Sequence, residues 1–169
     1  MSLYFNVSGE ASKVLIPPIN NTKVSRISLV NIQKVSKCKV DLYVEGKFDK
    51  FYILKDLELP RGMTITHDFN FNNINTDKGL YIKLTDGDSF TLTGTIDVTG
   101  TNVNVPGTNT LFLSELSVGD EVVISGETRT IATITSDTAA TVTSAFGSDL
   151  SNDTSPDCNP TALVDVILN

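Results

Sequence analysis

The chain has 169 residues and a mass of 18.2 kDa, room for one generous domain or two small ones. With 40% hydrophobic and 20% charged residues its composition is that of a folded globular protein, and no run approaches the roughly 20 apolar residues that span a bilayer as a helix. A formal net charge of -7 and a pI near 4.6 argue against a duplex-binding surface, because phosphate contacts need clustered Lys or Arg.

Leu3-Tyr-Phe-Asn-Val7 is a short strand candidate closed by Ser8-Gly9, and Lys13-Val-Leu-Ile16 is a second one stopped by Pro17-Pro18. Val24, Ile27, Leu29 and Ile32 fall roughly on period two if one bulge is allowed, so Val24–Ile32 reads as a strand with one buried face. In Lys39–Val44 the same alternation puts Val40, Leu42 and Val44 on one side and Asp41 and Tyr43 on the other. Lys50–Lys55 is a further strand, and Leu57–Pro60 leads to an Arg61-Gly62 turn before Met63–Thr66 resumes extended structure. Asn70–Asn75 is Asn-rich and reads as irregular, anchored by Phe69 and Phe71. Leu80–Leu84 and Ser89–Ile96 are read as two strands of a hairpin with Asp86-Gly87 at its tip.

From Gly100 the composition shifts to Thr, Asn, Gly and Ser, with Arg129 the one basic residue up to the C-terminus. Val103 and Val105 give a strand, and Thr110–Leu116 gives one helical turn or bend. Leu116–Ile134 gives a β-hairpin whose break is Ser125-Gly126-Glu127, with Gly126 free to take the positive φ of a tight turn. A last strand of this part lies around Ala140–Thr143, a polar acidic loop covers Ser148–Pro160, and the apolar run Thr161–Leu168 has the density of a buried strand. No segment keeps a 3.6 period over three turns. The expected class is all-β, an antiparallel β-sandwich formed by residues 1–98 plus 161–169, with a small barrel-like β module inserted at 99–160.

No catalytic constellation is expected. His67, the one histidine, sits between Thr66 and Asp68 and reads as a surface histidine in a turn. Asp86-Gly-Asp88-Ser89 lacks the ligand series and closing Glu of a calcium loop, and Asp149, Asp153 and Asp157 read as solvated loop acids. No Gly-rich phosphate cradle is present. Cys38 and Cys158 are too few for a disulfide framework and lack metal-ligand spacing, so both are expected as free thiols; the N-terminus also lacks the basic and apolar regions of a signal peptide. We therefore expect no enzyme activity, no cofactor and no metal.

Contact surfaces remain. Lys34, Lys37, Lys39, Lys47, Lys50 and Lys55 make the first half basic while the C-terminal third is acidic, an asymmetry that helps neighbouring subunits find each other or forms an ordinary solvated face. Tyr43, Phe51, Tyr52 and Tyr81 are the aromatics a glycan-binding sandwich would expose, although alternation places Phe51 and Tyr52 on opposite faces, one of them toward the core.

The first part of the chain resembles a β-sandwich family of tailed-bacteriophage virion proteins. The resemblance is carried by Val24–Asn31 followed by Val40-Asp-Leu-Tyr43, by Tyr52-Ile-Leu-Lys55 with Leu59-Pro-Arg-Gly62, and by Asp86-Gly-Asp88 with its flanking strands. In such proteins a last strand similar to Leu163-Val-Asp-Val166 follows soon after, whereas here about sixty residues intervene. That intervening piece is similar to a small module of phage structural proteins, through Thr110-Leu-Phe112, Leu116-Ser-Val-Gly-Asp120, Gly126-Glu-Thr-Arg-Thr-Ile131 and Thr141-Val142. The resemblance implies a non-enzymatic virion structural protein, foremost a capsid decoration protein on the outer shell. A neck or tail accessory protein and a glycan- or receptor-binding module are the alternatives. It implies a homo-oligomer whose partners are the major capsid protein or neck and tail proteins, with no nucleic acid and no membrane, in a virion assembled in the host cytoplasm.

Overall fold

The computed structural model describes residues 2–72 and 77–169. Among them are sixteen strands and one short helix. In chain order these are β1 (Leu3–Ser8), β2 (Lys13–Ile16), β3 (Lys23–Asn31), β4 (Cys38–Glu45), β5 (Lys50–Leu59), β6 (Thr64–Asn72) and β7 (Gly79–Thr85). There follow β8 (Phe90–Thr91), β9 (Thr95–Val98), β10 (Asn104–Thr108), α1 (Phe112–Glu115), β11 (Glu121–Ile124) and β12 (Glu127–Ser136). The last are β13 (Ala139–Val142), β14 (Leu150–Asp153), β15 (Asp157–Asn159) and β16 (Leu163–Leu168). The class is all-β, every ladder is antiparallel, and no described helix is long and apolar enough to cross a membrane.

The chain divides into two compact units, Met1–Asp86 with Ala162–Asn169, and Gly87–Thr161. The second unit therefore begins a dozen residues before the expected boundary at 98/99. The run Phe90–Val98 belongs to the second unit because its hydrogen-bond partners do: β8 pairs with β15, and β9 with β10 and β14. The expected Asp-Gly hairpin between Leu80–Leu84 and Ser89–Ile96 is corrected for the same reason, since β7 pairs with β2 and β4 and not with β8. Asp86-Gly87 is where the chain passes from one unit to the other.

The first unit is a sandwich of two four-stranded sheets, ordered β1-β16-β3-β6 and β2-β7-β4-β5. If its eight strands are counted in chain order, the sheets read 1-8-3-6 and 2-7-4-5. Apart from the β4–β5 hairpin, consecutive strands thus alternate between sheets in the double Greek-key order of a jelly roll. Alternation produces the core. Val40, Leu42, Leu80, Ile82 and Leu84 from one sheet meet Val24, Ile27, Leu29, Val164, Val166 and Leu168 from the other, all buried in one cluster. The apolar run β16 lies between β1 and β3, which explains its density. Buried Asn31 closes one end of the sandwich: its amide donates to the Leu59 and Ser36 carbonyls at 2.8 and 3.0 Å and its oxygen accepts the Gln33 N–H at 2.9 Å. Its side chain therefore bridges a strand of one sheet to a strand of the other, with each polar atom satisfied.

Two expected pieces, Lys50–Lys55 and Leu57–Pro60, form the single strand β5, bulged opposite Val40–Leu42 and again opposite Leu42–Tyr43. At the first bulge Asp56 adopts φ 50° and its N–H donates to the Asp41 carboxylate at 2.7 Å. Bulges and lysines on an outer strand discourage sheet-to-sheet pairing along that edge. Asn70–Asn72, expected to be irregular, are strand residues of β6 with Phe71 buried; 73–75 lie outside the described residues.

The second unit is an eight-stranded ladder in the order β14-β9-β10-β13-β12-β11-β15-β8, folded onto a core of Phe112, Leu116, Val122, Ile124, Ile131 and Phe146. Among the described residues no bond joins its end strands β14 and β8, so the expected closed barrel is an open ladder. Strand β10 gives residues 104–106 to β13 and 107–108 to β9, so the sheet turns at a shared strand rather than closing on itself. The central hairpin is as read from the sequence: Ile124 faces Glu127, and the two-residue loop Ser125-Gly126 has φ 47° and 87°. Positive φ at both positions is the type I′ turn that matches strand twist. The acidic loop expected at Ser148–Pro160 contributes the short strands β14 and β15.

Candidate functional site

The outer face of the β2-β7-β4-β5 sheet carries a row of aromatic rings. Register places Tyr81 of β7, Tyr43 of β4 and Tyr52 of β5 side by side. The Tyr43 and Tyr81 rings stack at 5.6 Å with 6° between planes, and Tyr43 and Tyr52 lie tilted at 5.7 Å. Tyr43 is buried although it faces away from the core, because its neighbours, the Lys50 ammonium 4.0 Å above its ring and Ser12, cover it. Its hydroxyl donates to Ser12 Oγ at 3.0 Å.

At the β4–β5 turn the row opens into solvent. Phe48 is 88% exposed, Phe51 57% and Tyr52 44%. The expectation that either Phe51 or Tyr52 enters the core is corrected: β5 is the outer strand of its sheet and both lie beside the turn, where the core ends. Lysines ring these aromatics. Lys47 lies 5.1 Å from the Phe48 ring, Lys78 4.5 Å from Phe51 and Lys55 4.8 Å from Tyr52. In each contact the ring quadrupole attracts the ammonium, weakly because water reaches both. Lys50 also pairs with Glu45, Lys55 with Asp56 and Lys78 with Asp49, all on the surface where such pairs exchange at little cost. The tip is an apolar surface edged by paired charges rather than by unpaired cations.

The expected lysine band is not continuous. Lys39 pairs in register with Thr85 at the end where the chain leaves the unit, whereas Glu45 and Lys50 flank the tip at the other end. Lys37 is tied to Glu58 at 3.0 Å. Phe48 and Lys78 escaped the sequence reading. The signal for Phe48 was an aromatic inside the turn Gly46-Lys-Phe-Asp49, where no core position exists for it.

His67 lies in β6 rather than in a turn, half-buried and stacked on Phe69 at 6.2 Å. Its neighbour Asp68 is held below the ordinary carboxylate range by the hydrogen bond from Arg26, at 2.6 Å. The loop acids serve the backbone of the second unit. Asp149 accepts the Gly100 N–H at 2.7 Å, Asp153 the N–H groups of Ser125 and Ser155, and Asp157 the Thr91 hydroxyl at 2.8 Å. Buried Asp120 accepts the N–H groups of Ser117 and Thr161 at 2.7 and 2.9 Å. Among the described residues no group of three or more His, Cys, Asp or Glu is arranged to hold a metal. Both cysteines are free and buried. Burial and then the Asp86 charge push the Cys38 thiol up to about 11, and burial and then Asp120 push Cys158 upward.

Charge separates sharply by unit. The first unit holds twelve basic and ten acidic residues, a formal +2, and the second one basic and ten acidic residues, a formal -9.

No family model and no curated protein matches the chain. Among solved structures, the VP2 subviral particle of infectious bursal disease virus overlaps at 6% identity and a TM-score of 0.22, covering 99% of this chain and 32% of the VP2 chain. A conserved protein of unknown function from Pseudomonas aeruginosa PAO1 overlaps at 8% identity and a TM-score of 0.20, over 99% of this chain and 80% of that one. The chain thus spans about a third of VP2, and overlap at this level carries neither fold nor function across.

Proposed function

We propose that this chain is a non-enzymatic structural protein of a tailed-phage virion, foremost a capsid decoration protein that sits on the outer shell beside the major capsid protein. The observation that carries the reading is the strand order 1-8-3-6 over 2-7-4-5, a jelly roll. Such jelly rolls serve viral capsids and lectins, and cupins. A cupin-type metal site calls for several histidines, and the sequence has one. The functional surface is the exposed aromatic and lysine tip, which is built for contact. A small sandwich that buries area across subunit boundaries stabilises a shell without any cofactor. Placement at the neck or tail differs only in which repeated site is occupied.

Mass spectrometry of purified particles tests this reading. Hundreds of copies per particle fit decoration, about a dozen or fewer place the chain at neck or tail, and absence from particles removes both. A glycan- or receptor-binding role is favoured by one specific feature, the exposed rings of Phe48, Phe51 and Tyr52. Glycan-array binding that disappears in Tyr52→Ala would establish it, and consistent silence would remove it.

A further inference from the structure

Strands β2 and β3 follow each other in sequence but lie in opposite sheets, so the link between them crosses the mouth of the sandwich. Pro17-Pro18 stops β2, and the link lines an open cavity of about 450 Å³. On its apolar side are Leu3 of β1, with Leu15 and Ile16 of β2, the last two buried. On its polar side are Asn20, Asn21, Thr22 and Lys23. An apolar recess of this volume with a few polar groups along one side has the make-up of a small-molecule site. Asn20 Oδ1 accepts the Thr22 hydroxyl at 2.9 Å, which occupies the acceptor and leaves the Asn20 amide N–H groups to donate. Among the described residues the Lys23 ammonium has no carboxylate partner. The backbone of the link is also strained. Ile19 has φ 58° and Asn21 φ 55°, one on each side of Asn20. Asn tolerates the left-handed region, whereas a β-branched Ile there is an outlier. The Ile19 side chain is 67% exposed, so core packing does not hold it in that state. Backbone of this kind concentrates at ligand clamps, where a fixed geometry serves recognition.

We propose that this cavity binds a small carboxylic acid with an aliphatic or aromatic body. The carboxylate accepts from Lys23 Nζ and from the amides of Asn20 and Asn21, while the body lies against Leu3, Leu15 and Ile16. Charge selects the class: one cation lines the cavity and no Asp or Glu does, so an anion is matched and a cation is not. Hydrogen bonds to an ionised carboxylate are also the stronger kind. The apolar side selects the body, because hydroxyls or phosphate oxygens set against Leu15 and Ile16 would give up water without gaining a partner. The strained link sets Asn20 and Asn21 in place beforehand, so less order is lost when the acid binds. The inference concerns the first unit alone and does not depend on where the chain sits in a virion.

Methyl-resolved NMR of the full chain, titrated with hexanoate, tests the proposal. Saturable shifts are expected at the Leu3, Leu15 and Ile16 methyls, with the methyls of the second unit unmoved. Hexanamide keeps the body without the charge and should bind the wild type roughly tenfold more weakly. Lys23→Gln should weaken hexanoate by a similar factor and leave hexanamide unchanged, a split that a merely structural lysine would not produce. Asn21→Gly keeps the left-handed backbone but removes the amide, so it should weaken hexanoate severalfold without lowering the melting temperature. Both positions are exposed, and the hexanamide comparison needs no variant at all. N-acetylneuraminate, an acid with a hydroxylated body, separates an acidic sugar from an apolar acid, and tighter binding than hexanoate overturns the proposed class. No saturable shift up to roughly 50 mM hexanoate, well beyond the millimolar range of weak ligands, overturns the site itself. So does hexanamide binding as tightly as hexanoate, a Lys23→Gln protein that still prefers the acid, or shifts scattered over both units.

Discussion

The Asp86 carboxylate accepts the Ala162 N–H at 2.7 Å, joining the last residue before the insertion to the first residue after it. The Ala162 carbonyl in turn accepts the Gly9 N–H at 3.0 Å, and the Asp86 N–H donates to Glu10 at 3.3 Å. The sandwich therefore brings the two ends of a 76-residue separation within one side-chain hydrogen bond. Asp86→Ala leaves the Ala162 N–H without this acceptor and should destabilise the first unit by about 1–2 kcal/mol. Asp86→Asn keeps an oxygen there and should lose less. Chemical denaturation followed by Tyr fluorescence checks the order, and equal losses would mean that charge rather than the hydrogen bond matters.

Because those ends already meet, residues 87–161 should be removable. A version in which Asp86 joins Ala162 through two or three Gly or Ser residues should fold, with dispersed amide resonances and a cooperative melt. Each unit has its own buried core, and loop closure over so short a gap costs little. Collapse of this version into an unfolded chain would mean that the sandwich needs its insertion.

The type I′ turn makes Gly126 sensitive to backbone rather than packing. A Cβ there meets nothing within 4 Å, yet φ is 87°, so Gly126→Val should cost on the order of 1 kcal/mol through strain alone. Ile131→Asp should cost several times more, because it places a charge in the buried core of the second unit. A thermal scan separates the two, and an unchanged midpoint for Ile131→Asp would refute a buried hairpin.

Acid should weaken the second unit through Glu127. Its carboxyl lies below the ordinary value of 4.5, first through the Gly147 N–H at 2.9 Å, then through the Ser148 hydroxyl and Arg129. A folded value below the unfolded one means that the unfolded chain binds more protons in that window. The contribution is thus complete above the ordinary value and is lost as pH falls through the folded one. Glu127→Gln should flatten the acid limb of a stability profile measured on the isolated second unit or by a probe within it.

Both thiols should be silent in the native protein. Cys38 is buried with its thiol pushed up to about 11, and Cys158 is buried beside Asp120, so at mildly alkaline pH little thiolate is available. A thiol-specific reagent should label neither in buffer and both in denaturant. As Cys38 lies in the first unit and Cys158 in the second, intermediate denaturant should report which unit opens first.

The sequence by itself determined the class and most of the strands. Period-two alternation in Lys39–Val44, the density of Leu163–Leu168 and the Ser125-Gly126 turn are local properties, written where each side chain must face core or solvent. It also determined that no signature of catalysis stands out, with one histidine and scattered acids. Tertiary structure decided which strands pair, and hence the jelly-roll order. Ladders are made of backbone groups common to every residue, so alternation shows that Leu80–Leu84 is a strand without saying that its neighbours are β2 and β4. The same non-local pairing moved Phe90–Val98 into the second unit and made β5 the outer strand of its sheet. It left Phe48, Phe51 and Tyr52 in solvent at the tip, because whether an aromatic is covered depends on what the rest of the chain brings over it.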